Sequence, residues 1–231
     1  MSTLHLAPAL VGAAVTAVSA GVLLPPWVRA LPEPEEPDPG KTPYAELGQG
    51  VAPLYAVAGA VTGGVIAGAV GWAWSLLFLL PLAALGVALA HIDFRTRLLP
   101  KRLVRPAYPV LVVLLLVAAL LDGSVDGLVR AAWGWLVAGV LYWCLWRFTR
   151  GMGYGDVRLS GLLGLALGYL GWSTLAVGIY AGFVVGVLGW GVLRVTRLVR
   201  DRHFAFGPFM LIGAGAGVVL VALGWSPLAV P

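Results

Sequence analysis

The sequence predicts an all-α fold, a polytopic transmembrane helical bundle of about eight spans with its N-terminus outside. Three observations carry that expectation. Of the 231 residues, 60% are hydrophobic and only 11% are charged, more apolar surface than a soluble domain of this length can hide. Continuous apolar runs approach the ~20 residues a helix needs to cross the hydrocarbon core, without the alternation of barrel strands. The basic residues also fall almost entirely on one side of the resulting spans.

The runs place spans at about 6–24, 52–70, 72–91, 104–121, 128–146, 157–171, 173–193 and 207–225. With the N-terminus outside, the inner loops collect Arg29 and Lys41, then Arg95, Arg97, Lys101, Arg102 and Arg105. They also collect Arg147, Arg150 and Arg158, then Arg194, Arg197, Arg200 and Arg202, so that of 15 Lys and Arg only Arg130 stays outside. The net charge of +5 is therefore a topology signal. Anionic lipid headgroups are the expected neighbours of these loops, and no nucleic-acid partner is expected.

Residues 1–28 contain no Lys or Arg, so the first run reads as an anchor helix and not as a cleaved signal peptide. Residues 25–50, "PPWVRALPEPEEPDPGKTPYAELGQG", follow with five of the ten acids and seven prolines. Proline fixes its own backbone angle and cannot donate a hydrogen bond, so a regular helix is not expected across most of this stretch. It reads as a solvated, partly extended cytoplasmic loop. The chain thus divides into 1–50, an anchor helix with an acidic loop, and 51–231, a transmembrane domain.

Within the spans, glycine spacing predicts close helix packing. Gly59 and Gly63, then Gly64 and Gly68, repeat at four in the second span, and Gly161, Gly164, Gly168 and Gly171 mark one face of the sixth. Cys144, in the fifth span, is the one cysteine, which excludes an internal disulfide and a multi-cysteine zinc site. His5, His91 and His203 are too scattered to suggest a metal centre and read as interfacial.

The acids outside the first loop are Asp93, Asp122, Asp126, Asp156 and Asp201. Asp122 and Asp126 sit in the short outer turn "DGSVDG" and read as turn residues. Asp201 stands among Arg197, Arg200 and Arg202, where a surface ion pair is the plain explanation. Asp93 and Asp156 remain, one closing the third span and one opening the sixth. Singly, Asp156 reads as a helix N-cap and Asp93 as an interfacial partner of Arg95 or Arg97. Jointly they admit another reading, because ionisable groups near lipid are costly and often functional. Two carboxylates brought together at a partly dry site share one proton, leaving one group as base and the other as acid. That pair can activate a water against a peptide bond.

Three segments carry a family resemblance. "HIDFRTRLLPKRLV" at 91–104 resembles the first catalytic-aspartate segment of type IV prepilin peptidases, and "GMGYGDVRLSGLLGLALG" at 151–168 resembles their Gly-x-Gly-Asp segment. "FAFGPFMLIGAG" at 204–215 is similar to the Phe-Gly-Pro segment before their last span. The ordered set covers about residues 52–225. The resemblance implies an intramembrane aspartic protease that removes the leader of prepilin-like proteins at the cytoplasmic face of a prokaryotic plasma membrane. On it, Asp93 and Asp156 are the catalytic pair. Gly153 and Gly155 let the substrate backbone or a partner helix approach Asp156. Pro100 redirects the chain after the first aspartate, and Gly207 and Pro208 belong to the third segment, although a helix-start proline explains Pro208 equally well. The long forms of the family carry two Cys-x-x-Cys pairs after the first span and also methylate the new N-terminus. This chain has its acidic loop there and resembles the short, peptidase-only forms, so neither zinc nor any other cofactor is expected. The partners implied are prepilin-like substrates and the lipid bilayer. A preflagellin or other leader peptidase, or a non-enzymatic scaffold or transporter, stands as the alternative.

Overall fold

A computed structural model describes residues 5–33, 42–149, 152–195 and 205–228, and the described residues form helices and turns with no strand. Leu6–Val18 (α1), a π-helical turn at Ser19–Leu23 and Leu24–Arg29 (α2) run on as one helix. Then come Tyr44–Leu47 (α3), Ala52–Val70 (α4), Leu76–Thr96 (α5), Lys101–Asp122 (α6) and Asp126–Phe148 (α7). Tyr154–Leu170 (α8), Trp172–Val195 (α9) and Gly207–Ala222 (α10) complete the order.

Each of the eight expected spans carries a helix. Six are long and apolar enough to cross a membrane: Leu6–Arg29, α4, α5, α6, α7 and the Trp172–Gly189 part of α9. The other two are shorter, α8 with 17 residues and α10 with 16. The brevity of α8 goes with its position, because Leu159 through Leu163 and most of the turn after them are buried in the bundle.

Residues 25–50, expected as a solvated, partly extended loop, are helical in part, at 25–29 and 44–47 among the described residues. Pro25 and Pro26 lie in the first helix, which continues to Arg29. A proline inside a helix clashes with the carbonyl four residues back. Here those carbonyls belong to Gly21 and Val22, within the π-helical turn, whose wider spacing accommodates the rings. Further on, Arg29 Nε donates to the Gly48 carbonyl (2.8 Å) and the Tyr44 amide donates to Glu33 Oε1 (2.6 Å). The described parts of this segment are thus folded onto helix ends. Residues 34–41 lie outside the described residues, as do Arg150, Gly151 and the stretch 196–204, which holds the ion pair expected at Asp201 and the interfacial His203.

Three helix pairs, α1 with α4, α7 with α8 and α9 with α10, pack most extensively. Glycines set their separation. A Cβ on Gly59 would stand 2.6 Å from the Thr16 carbonyl oxygen, one on Gly168 2.6 Å from that of Arg130, and one on Gly217 2.7 Å from that of Thr174. Such approaches are the close backbone contacts that small residues permit in lipid. Gly171 departs from the packing role its spacing suggested: it ends α8 with φ of 146° and open space around it. At the same end, Tyr169 Oη donates to Asp122 Oδ2 (2.9 Å) and Arg130 Nη2 donates to the Tyr169 carbonyl (3.2 Å). Asp122, expected to be only a turn residue, ties α6 to α8.

Candidate active site

The opposite end of the bundle gathers the chain's buried charge. Among the described residues, Asp93 and Asp156 are the two charged side chains that are buried, at 4% and 5% exposure. Asp93 lies one turn before the end of α5. The helix stops at Arg97, whose left-handed backbone (φ 56°) lets its amide donate to the Asp93 carbonyl (2.7 Å). Leu98 and Leu99 then lead to Pro100, which precedes α6 in extended conformation and turns the chain back.

The Asp93 carboxylate faces the start of α10. Its Oδ2 accepts from the Gly207 amide at 3.0 Å. The first N–H groups of a helix have no partner within it and carry the positive end of the dipole, so a carboxylate suits that position. This is the partner the structure gives Asp93, in place of the interfacial arginine of the plain reading. A Cβ on Gly207 would stand 2.7 Å from Asp93 Oδ2, so any larger residue there would force the carboxylate or the helix start to shift. Pro208 follows in the first turn, where its missing N–H costs nothing.

Asp156 is not the N-cap of α8. That place belongs to Gly153, and Asp156 stands three residues in, reaching back so that the Gly153 amide donates to its Oδ2 at 3.1 Å. The contact is the acidic half of a capping box. Of the two glycines expected to make room here, only Gly155 is crowded. A Cβ there would meet Leu99 Cβ at 2.9 Å, whereas one on Gly153 would find nothing closer than Asp156 Oδ2 at 3.7 Å.

Leu99 is the residue between the two halves. It bears on Gly155 and, through Cδ1, on Gly207, and the charge of Asp93 lies within electrostatic range of Asp156. The structure therefore brings Asp93, Gly155, Asp156 and Gly207 together, with Gly153, Pro100 and Pro208 at the adjoining turns. An aromatic wall adjoins them: Tyr142 stacks on Phe183 (5.5 Å between centroids), Phe183 packs on Phe206 (5.4 Å), and Asp156 lies within electrostatic range of Tyr142. Tyr44 of α3 is buried, in electrostatic range of Asp93. His91, two residues before Asp93, pairs through Nδ1 with the Tyr55 hydroxyl (3.0 Å). Sequence reasoning passed over Leu99, Tyr142 and Tyr44; the one signal available was the place of Leu99 beside Pro100. Among the described residues no three His, Cys, Asp or Glu side chains gather as a metal centre would need.

Two buried carboxylates, each fixed through one oxygen by a backbone amide, are equipped to hold a water and exchange protons with it. The sequence, too, is similar to that of known proteins. The pattern of the type IV leader peptidase family fits residues 80–192. The chain belongs to that family. The matched segment of the family contains Asp93, Pro100, Gly153, Gly155 and Asp156, and it ends before Gly207 and Pro208.

Among relatives, the "Prepilin leader peptidase/N-methyltransferase" of Dickeya chrysanthemi is 33% identical over 152 residues, 61% of this chain and 50% of that protein. The proteins of the same name from Neisseria gonorrhoeae and Stutzerimonas stutzeri are each 32% identical, over 166 and 183 residues respectively. Those alignments cover 69% and 75% of this chain and 54% and 58% of the relatives. The chain thus spans about half the length of the curated relatives it matches. No solved structure matches it significantly.

Proposed function

We propose that this chain is a membrane-embedded aspartic endopeptidase that removes the N-terminal leader of prepilin-like proteins at the cytoplasmic face of a prokaryotic plasma membrane. The observation that carries the reading is the burial of Asp93 and Asp156 within electrostatic range of each other, on a chain of the leader peptidase family. The two carboxylates act as a pair. One takes a proton from a bound water as the water oxygen attacks the scissile carbonyl carbon, and the other donates a proton to the departing amine. The Gly207 and Gly153 amides fix one oxygen of each carboxylate, so the groups meet substrate already oriented.

The relatives' name includes an N-methyltransferase. That second activity is not part of this proposal, because the chain has one cysteine and an acidic segment where the long forms carry their cysteine pairs. Coexpression with candidate prepilins, scored by loss of the leader on a gel, tests the function. Cleavage by the parent chain, absent with Asp93→Asn or Asp156→Asn at equal membrane levels, is the expected result. Cleavage that survives either change excludes the aspartic mechanism.

A further inference from the structure

A second concave site lies on the other side of α8, between α6, α7 and α8, with a volume of about 330 Å³. Its lining includes Tyr108 of α6, Trp135, Gly139 and Trp143 of α7, and Tyr154 and Arg158 of α8. Trp135, Gly139 and Trp143 are spaced by four and share one helix face, so at 1.5 Å per residue the groove follows α7 for about 12 Å. Trp135 and Trp143 are about half exposed along it, and a Cβ on Gly139 would find nothing within 4 Å, so the notch at its middle is open.

The lip of the groove is basic. The Arg158 guanidinium lies 4.7 Å above the Tyr154 ring, and the Trp146 ring packs edge-on against Tyr154 at 4.9 Å. Tyr108 donates to the Arg158 carbonyl at 2.6 Å, fixing α6 against this turn. Arg105 stands one turn before Tyr108 on α6 and is exposed. The carboxylate nearest in sequence, Asp156, is turned inward to the Gly153 amide and does not neutralise the lip.

We propose that this groove is a binding site for one anionic phospholipid, its phosphate on Arg158 and an acyl chain along Trp143, Gly139 and Trp135. The chemistry at the two ends selects an amphiphile. A fixed guanidinium at the membrane boundary suits a phosphate, while the open, aromatic-walled channel below it is lined by Leu136, Gly139 and Val140, and the Tyr108 hydroxyl beside it is already bonded to the Arg158 carbonyl. Tyr154, Val157 and Arg158 flank Asp156, so the lipid buttresses the turn that carries that carboxylate. The inference does not depend on the peptidase reading.

The test is lipid retention by the intact protein, extracted from vesicles of equal phosphatidylcholine and phosphatidylglycerol and weighed by native mass spectrometry. The parent chain is expected to keep one phosphatidylglycerol. Arg158→Gln should lower that retention at least fivefold, Gly139→Leu should lower it by blocking the channel, and Arg102→Gln should leave it unchanged. A second readout uses phosphatidylglycerol brominated on its acyl chain, which should quench the parent's tryptophan fluorescence, with Trp143→Phe removing part of the quenched signal. Equal retention by the parent, Arg158→Gln and Gly139→Leu overturns the site, as does an equal loss with Arg102→Gln, which marks general attraction to a basic surface.

Discussion

Gly207→Ala is the most informative single perturbation of the carboxylate pair. The added methyl would stand 2.7 Å from Asp93 Oδ2, 3.2 Å from its Cγ and 3.5 Å from Leu99 Cδ1. Relief to an ordinary contact of about 3.4 Å requires the carboxylate or the start of α10 to move by about 0.7 Å. That movement lengthens the 3.0 Å bond from the Gly207 amide which orients Asp93. Since a misplacement of ~1 Å can cost ~100-fold in rate, a loss of roughly 10- to 100-fold in kcat/KM is expected, equivalent to about 1.4–2.7 kcal/mol in the barrier. Gly207 is not among the glycines with positive φ, so alanine brings no backbone strain, and the fold should survive. Gly153→Ala is the matched control. Its methyl meets nothing closer than 3.7 Å, and activity should stay within about threefold of the parent. The assay is leader cleavage per folded, membrane-inserted enzyme, with a purified prepilin in mixed micelles. Parent-like activity in folded Gly207→Ala, or a larger loss at Gly153 than at Gly207, would refute the assignment of the Gly207 contact to the catalytic geometry.

Asp93→Asn and Asp156→Asn should each abolish cleavage, and the double variant should be little worse than either one, because groups that act as a unit are far from additive; a double variant much slower than both singles would show independent roles. Tyr169→Phe removes the bond to Asp122 at the far end of the bundle and should cost about 1 kcal/mol in thermal or denaturant stability while leaving cleavage per folded molecule intact. Cysteine scanning on intact cells should label Ser124→Cys and leave Lys101→Cys unmodified; labelling of position 101 from outside would invert the topology and remove the cytoplasmic site.

Much of the fold was legible because lipid demands long apolar helices, and the eight runs mark them. Helix α8 was harder to delimit, since a helix buried by its neighbours needs no lipid-length apolar face. The end of the first helix was read short for a physical reason. Proline is read as a helix breaker, yet Pro25 and Pro26 sit beside a π-helical turn that accommodates them, and nothing local announces that turn. In the site, Asp93 and Asp156 stood out because unpaired acids are rare beside lipid. Gly207 and Gly153 came from the resemblance, but their role as amide partners did not, because the Gly207 amide lies 114 residues from Asp93 and a backbone N–H has no sequence signature. The glycine pair shows a finer limit. Gly153 and Gly155 look equivalent in the motif, but alternate positions at a helix start face different ways, and only Gly155 meets the turn before α6.

That turn sets Leu99 beside the supports of both carboxylates, where it is expected to hold the site in register. Asp93 rides on α5, Asp156 on α8, and the amide that orients Asp93 belongs to α10; a Cβ on Gly155 would meet Leu99 Cβ at 2.9 Å, and one on Gly207 would meet Leu99 Cδ1 at 3.5 Å. Leu99→Ala would remove Cγ and both methyls from between Gly155 and Gly207 and leave a void where the two carboxylate supports meet. For a half-buried leucine the stability cost should fall at or below the low end of the usual range, about 1–2 kcal/mol. The effect on cleavage should exceed that share, because a gap between the supports lets the carboxylates drift apart while the helices stay packed. Leu99→Met, which nearly conserves volume, should restore activity to within a few-fold of the parent. The comparison is kcat/KM per folded molecule beside the unfolding midpoint for both variants. If Leu99→Ala loses stability but cleaves like the parent, Leu99 is ordinary packing, and the spacing of the carboxylates must be set by the helices themselves.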